Sequence, residues 1–234
     1  MTTQPKVQHI ESSRLFQGLT AEELNNVAQA ANIRKREDGS FFFFEEDPAT
    51  HIYVLLLGKV RLTQVTSDGQ QIIFNYVNPG DAFGVAAVLS EIHYPVSAQA
   101  VGDCKALSWD EATMNRLMER WPLIALNALH LLANHTRDFQ HKIRELSTER
   151  VERRIARTLL RLAQQTGRKV ETGVLIDLTI TRQDVAEMTG TTRYTVSRIL
   201  QQWEKKGLIL AKREQIIIRY PHGLVSIAED LQSG

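Results

Sequence analysis

The sequence predicts an α+β fold: a strand-rich first half, one long amphipathic helix and a compact C-terminal helical unit with a hairpin. Three observations carry that prediction. Between Ile33 and Trp109, short β-branched and aromatic runs alternate with turn dipeptides. From Leu129 to Leu146, mostly apolar residues recur at spacings of three and four. After Thr181, two short capped helical patterns meet at a glycine.

The first helix begins at Thr20, where Thr20 and Glu23 form a capping-box pattern. Leu24, Val27, Ala28 and Ala31 give it an apolar stripe. Strands are predicted at Phe41–Phe44, Ile52–Leu57, Val60–Val65, Ile72–Val77 and Val96–Val101. Gly58-Lys59, Pro79-Gly80 and Gly102-Asp103 read as turns between them. Ser67-Asp68-Gly69-Gln70 reads as a tight hairpin, because Asp-Gly tolerates positive φ. Many short strands at close spacing predict an antiparallel barrel or sandwich.

Near Asp110 the period becomes helical, and Trp121-Pro122 opens a long helix. On it, Leu129, Leu132, Thr136, Phe139, Ile143 and Leu146 form an a/d seam of nearly three heptads. Arg137, Asp138, His141, Lys142, Arg144 and Glu145 cover the other faces. A core helix lying on its own barrel would also carry a stripe, but a narrow stripe on so charged a helix favours a coiled-coil homodimer. Thr136 at a seam position weakens packing and can fix register. Ser147-Thr148 is placed to cap a further helix over Val151–Gln165, and Gly167–Gly173 reads as an exposed loop.

Thr181-Arg182-Gln183-Asp184 is a capping box that opens a short helix with Val185, Ala186 and Met188 on its apolar face. Gly190 supplies a sharp turn. Thr191 or Thr192 can cap a second helix, whose Val196, Ile199, Leu200 and Trp203 form one buried stripe before Gly207. This is a helix-turn-helix pattern, and its second helix is expected to enter the DNA major groove. Arg193, Tyr194, Ser197 and Arg198 lie off the buried stripe and, with Thr195, are the candidate DNA-reading residues. Arginine can donate two hydrogen bonds to guanine, and the hydroxyls of Ser197, Thr181 and Thr192 suit phosphates or base edges. Leu208–Leu210 and Ile216–Ile218 form a hairpin with Lys212 and Arg213 at its tip, the position of a wing that meets the DNA backbone.

Composition bounds the remaining classes. Residues 1–150 hold 14 basic and 18 acidic side chains, net −4, whereas residues 151–234 hold 14 and 9, net +5. The basic C-terminal third suits a polyanion such as double-stranded DNA. A single cysteine, Cys104, expected at the end of a strand, leaves no intramolecular disulfide and no Cys-ligated zinc or iron–sulfur centre within one chain. No signal peptide and no membrane-spanning apolar run is legible, so a cytoplasmic protein without membrane contact is expected. Phosphate-binding loop, nucleophile elbow, HExxH and paired-carboxylate patterns are all missing, so the chain is not expected to be an enzyme. A ligand-binding module acting on protein partners is the other reading, and the basic hairpin with Arg193 and Arg198 argues against it.

From Leu15 to Glu229 the chain resembles the Crp/Fnr family of bacterial transcription regulators. "EEDPATHIYVLLLGKVRLTQVTSDGQQIIFNYVNPGDAFG" is similar to that family's cyclic-nucleotide-binding-type sensor, "RIARTLLRLAQQTG" to its hinge-proximal helix, and "LTITRQDVAEMTGTTRYTVSRILQQWEKKGLI" to its DNA-binding signature. The resemblance implies a double-stranded β-roll sensor over residues 1–120, a dimerisation helix over 121–147 and a winged helix-turn-helix over 148–234. It also implies a parallel homodimer that reads a palindromic promoter site, and contact with RNA polymerase.

The resemblance also exposes departures. Cyclic-nucleotide binders in this family use a Gly-Glu pair and an Arg-Ser or Arg-Thr against the cyclic phosphate. Here the corresponding residues are Gly80 and Asp81, then Val96 and Ser97, with Phe83 beside them in the implied pocket, while Phe139 and Gln140 stand where central-helix hydroxyls meet the adenine. Cyclic AMP is therefore not expected to activate this protein, although these positions remain the implied effector pocket. The family's iron–sulfur branch needs an N-terminal cysteine cluster, which is missing, so that cofactor is not expected. "HYPVSAQAV" is similar to the cysteine-poor Dnr/NnrR-like branch, in which haem is the suspected sensor. His9, His51, His93, His130, His135 and His141 are available as axial ligands. A member with another small ligand, or with no effector, is equally open. At Arg193-Tyr194-Thr195-Val196, tyrosine replaces the glutamate of the family's "RETV" run, so the half-site is expected to differ from the usual ones.

Overall fold

The computed structural model describes residues 7, 10–88, 92–212 and 214–230. The chain divides into two compact units, residues 1–139 and 140–234.

The first unit is built on one antiparallel sheet. Helix α1 (Ala21–Gln29) is followed by β1 (Asn32–Arg36), β2 (Phe41–Phe43), β3 (His51–Val65), β4 (Gln71–Val77), β5 (Ala82–Phe83) and β6 (Ser97–Asp110). The sheet order is β1-β6-β3-β4, with β2 paired to β6 and β5 to β3. Both halves of the expected capping box are present: the Glu23 amide donates to Thr20 Oγ1, and the Thr20 amide donates to Glu23 Oε2. Trp109, fully buried on β6, donates Nε1–H to the Val27 carbonyl at 2.9 Å and packs its ring on Phe16, which docks α1 on the sheet.

Two expected turns are bends inside long strands. Gly58-Lys59 lies within β3 and Gly102-Asp103 within β6, and the β3–β6 register shifts between Leu57 and Lys59. Gly58 has φ +83°, and a Cβ there would approach the Asp103 carbonyl oxygen to 2.5 Å and Cys104 Sγ to 2.6 Å. A positive-φ residue kinks a paired strand as readily as it reverses a free chain, and the dipeptide alone does not distinguish the two. Cys104 is consequently mid-strand rather than at a strand end. It is buried, and its Sγ–H donates to the Lys59 carbonyl. Burial raises the thiol above its ordinary pKa.

Asp110 caps α2 (Glu111–Arg120), and α3 (Pro122–Thr148) follows directly. The early turns of α3 bury Ile124 and Ala128 on the sheet domain, with Leu131 and Leu132 packed beside them. Leu132, expected in the seam, thus lies partly on its own domain. The 27-residue helix serves as a core helix at its start and carries an open stripe further along. The expected cap at Ser147-Thr148 does not form, because α3 runs through both residues. Thr148 Oγ1 donates back to the Arg144 carbonyl at 2.8 Å, four residues earlier, and Arg150 becomes the residue before the next helix.

The second unit contains α4 (Val151–Thr166), β7 (Gly167–Val170), β8 (Gly173–Ile176), α5 (Arg182–Thr189), α6 (Arg193–Lys205), β9 (Ile209–Ala211), β10 (Ile216–Ile218) and α7 (Pro221–Glu229). Its sheet runs β7-β8-β10-β9. The segment expected as a loop from Gly167 to Gly173 contains edge strand β7. The polar Arg168-Lys169 pair gave it no apolar period, yet its backbone pairs with Val174 and Leu175 of β8. The core joins Ile155, Leu159 and Leu162 of α4 to Val185 and Met188 of α5 and to Val196, Leu200 and Trp203 of α6.

Candidate nucleic-acid interface

Helix α5 opens on the expected capping box. The Asp184 amide donates to Thr181 Oγ1 at 3.1 Å, and the Thr181 amide donates to Asp184 Oδ2 at 2.7 Å. The Thr181 hydroxyl also donates to Asp184 Oδ2, so both its roles are taken up inside the protein. Helix α5 ends at Gly190, with φ +59° and ψ +49°. A Cβ at Gly190 would approach Leu146 Cδ2 to 2.8 Å. Left-handed backbone and close packing together restrict this turn to glycine.

Thr192 caps α6 by accepting from the Thr195 amide at 3.2 Å, and the two threonine hydroxyls lie 3.0 Å apart. Val196, Ile199, Leu200 and Trp203 are buried on one side of α6. At 100° per residue, the opposite side is a row of Tyr194, Arg198 and Gln201, all exposed, with Lys205 continuing it. Ser197 is half-buried at the edge of this row, and Arg193 is exposed on the flank. Gln201 escaped the sequence reading, although its spacing of seven from Tyr194 and three from Arg198 was available. Glutamine can pair with both N6 and N7 of adenine.

The hairpin of β9 and β10 is present, with Ile217 opposite Leu210. Lys212 is exposed at its tip, where its amide donates to the Gln215 carbonyl at 2.8 Å. Arg213 lies outside the described residues.

Cations hold the carbonyl end of α5. Lys142 Nζ donates to the Met188 carbonyl. Arg154 donates to the carbonyls of Thr189 at 3.0 Å, Gly190 at 3.3 Å and Glu149 at 3.0 Å. These donors satisfy carbonyls that a helix end leaves unpaired and oppose its negative dipole end. The turn between α5 and α6 is thereby fixed to the last turns of α3 and the start of α4.

Along α3, Leu129, Phe139, Ile143 and Leu146 remain 41–65% exposed, and Leu126 extends the stripe. The Thr136 hydroxyl donates to the Leu132 carbonyl. Phe139 touches Phe74 edge-on, with ring centroids 5.3 Å apart.

The implied effector residues occupy separate local settings. The Gly80 amide donates to the Leu55 carbonyl, and the Leu55 amide donates to the Asp81 carbonyl. The Asp81 carboxylate is exposed and accepts from the Asn78 amide. Phe83 is buried in an aromatic cluster with Phe42, Phe43 and Tyr53. Val96 is half-buried, and Ser97 Oγ accepts from the Glu45 amide at 2.9 Å. Gln140 is exposed at the start of the second unit. Burial and the nearby Arg34 hold the His51 imidazole below its usual pKa. His9 lies outside the described residues. Among the described residues, no three His, Cys, Asp or Glu side chains gather as a metal site, and no helix is long and apolar enough to cross a membrane.

Comparison with known proteins places both halves. Residues 33–120 match the cyclic nucleotide-binding domain family, and residues 153–227 match the Crp-like helix-turn-helix domain family. The chain is 31% identical over 200 residues to the cyclic AMP receptor protein of Thermus thermophilus, covering 86% of this chain and 89% of that protein. It is 24% identical over 201 residues to the transcriptional activator protein anr of Pseudomonas aeruginosa, covering 86% and 82%. The structure of FixK2 from Bradyrhizobium japonicum superposes with a TM-score of 0.74 at 23% identity, over 84% of this chain and 96% of that one, and so shares the fold. With both domains in the same order and nearly full-length similarity, the chain belongs to the Crp/Fnr family, whose members are DNA-binding transcription regulators and not enzymes.

Proposed function

We propose that this regulator acts as a homodimer in the cytoplasm, zipped along α3, with two copies of α6 reading a palindromic promoter site. Residues 1–120 sense, 121–147 dimerise and 148–234 bind DNA. The observation that carries this reading is α6 itself. Its apolar side is fully committed to the core, while Tyr194, Arg198 and Gln201 face outward on the same unit as the basic hairpin tip. Half-sites lie about one helical turn apart, roughly 34 Å, so that both helices engage one face of the duplex. Contact with RNA polymerase then follows the family pattern.

The test is a mobility-shift assay on duplexes selected by the full-length protein, run at graded salt. Affinity that falls steeply as salt rises supports the reading, because phosphate contacts release counterions. Absent binding to every duplex rejects it and favours a module that acts on protein partners.

The effector of the sheet domain is proposed to be something other than cyclic AMP, despite the name of the Thermus thermophilus relative. Support comes from Val96, an aliphatic side chain where the resemblance places the phosphate-neutralising arginine. Haem, another small ligand or no effector remain as alternatives. The likeness of "HYPVSAQAV" to the Dnr/NnrR-like branch is what favours haem. An absorption spectrum of the purified protein with added haem decides: a Soret band that saturates at one haem per chain supports it, and a spectrum of free haem rejects it.

A further inference from the structure

We infer that Tyr194 reads the C5-methyl group of a thymine in each half-site, beside the guanine taken by Arg198. The inference rests on the proposed DNA-reading role of α6.

Tyr194 is 79% exposed, more than any other large apolar side chain among the described residues. It has no hydrogen bond or ring contact to another described residue. Its direction on α6 is nearly opposite Val196 and Trp203, both fully buried. The ring is therefore turned away from the core of its own unit and stands at the N-terminal end of the outward row. It lies in the first turn of α6, the part of such a helix that reaches base edges.

The chemistry of the ring then selects the base. Base edges in the major groove present hydrogen-bond donors, acceptors and one apolar group, the thymine methyl. An aromatic ring gains most by covering that methyl, since the other edges would lose water without full hydrogen-bonding compensation. Arg198, one turn further along the same row, has the donor pair that matches guanine O6 and N7. Adjacent positions on the helix row meet adjacent base pairs, so the thymine and the guanine are neighbours.

The experiment uses the full-length protein and the duplex it selects from a random pool. Each thymine of the selected site is replaced in turn by deoxyuridine, which removes only the methyl. One symmetry-related pair of thymines is expected to lose about fourfold affinity per half-site, the value of one buried methyl-sized group. That loss persists in Tyr194→Phe and vanishes in Tyr194→Ala. Circular dichroism of both variants is expected to match the parent, because the side chain is 79% exposed.

A sequence-specific selected site at which every deoxyuridine substitution is neutral overturns the methyl assignment and leaves DNA reading intact. So does a methyl effect that survives Tyr194→Ala, or a loss caused by Tyr194→Phe alone, which would mark the hydroxyl as a phosphate contact. Failure to select any duplex rejects DNA reading itself, and the thymine assignment with it.

Discussion

Lys142 reaches from α3 to donate its Nζ–H to the carbonyl of Met188, one residue before the end of α5. Burial, then the neighbouring Arg161, pushes its pKa down to about 8, while Glu145 acts in the opposite sense. Free lysine titrates near 10.5. Between pH 8 and 10.5, the unfolded chain therefore holds a proton that the folded chain has released, and stability rises with pH across that window. Below pH 8 the buried ammonium opposes folding. Lys142→Met is expected to remove this pH-dependent gain, which is on the order of 1–3 kcal/mol. Urea denaturation of parent and variant at several pH values between 7 and 10.5 checks it. Parallel curves for the two proteins would refute the assignment.

Arg198 is exposed in the middle of the outward row of α6. Arg198→Ala is expected to weaken specific binding by about 1–3 kcal/mol and relax preference at one base pair per half-site. Lys212→Ala, at the hairpin tip, is expected to weaken all duplexes alike and lower the salt slope by about one. Competition binding against single-base variants of the selected site separates the two behaviours. Unchanged selectivity in Arg198→Ala would remove that residue from base reading.

Much of the DNA-binding unit was legible because its signals are local. The Thr181–Asp184 capping box, the Gly190 turn, the Thr192 cap and the Val196–Trp203 stripe each lie within a few residues, and each forms as read. What escaped depends on contacts distant in sequence. Gly58 sits opposite Cys104, so a dipeptide that looked like a turn became a bend in a long strand. Strand β7 has a polar face and is defined by pairing with β8 rather than by its own period. The donors from Lys142 and Arg154 join segments 35 to 46 residues apart and leave no mark on any helical pattern. Thr181 shows a limit within the site. Its hydroxyl type suggested a DNA contact, and its local geometry commits it to Asp184.

Val96 bears on the effector. A cyclic phosphate placed beside an aliphatic side chain keeps its charge with no arginine to neutralise it there, and such desolvation is costly. Titration calorimetry with cyclic AMP is expected to show no saturable heat in the micromolar range. Adding cyclic AMP is likewise expected to leave DNA affinity unchanged. Saturation at micromolar ligand would overturn the proposal and would require another cation to meet the phosphate.

Ile143 tests the dimer. It is 65% exposed on α3 and sits in the stripe with Leu129, Phe139 and Leu146. A coiled-coil partner would bury it at a seam position, where a carboxylate would face its symmetry mate in a desolvated site. Ile143→Asp is therefore expected to give a monomer in sedimentation equilibrium. Helicity measured on the variant stays close to that of the parent, because the side chain is largely exposed within its own chain. DNA affinity is expected to fall by about a hundredfold or more, since the second half-site is then no longer bound intramolecularly. Binding to a single isolated half-site is the internal control: it is expected to be the same for both proteins, because α6 is untouched. A variant that stays dimeric and keeps its affinity for the palindrome would move the dimer contact away from this stripe.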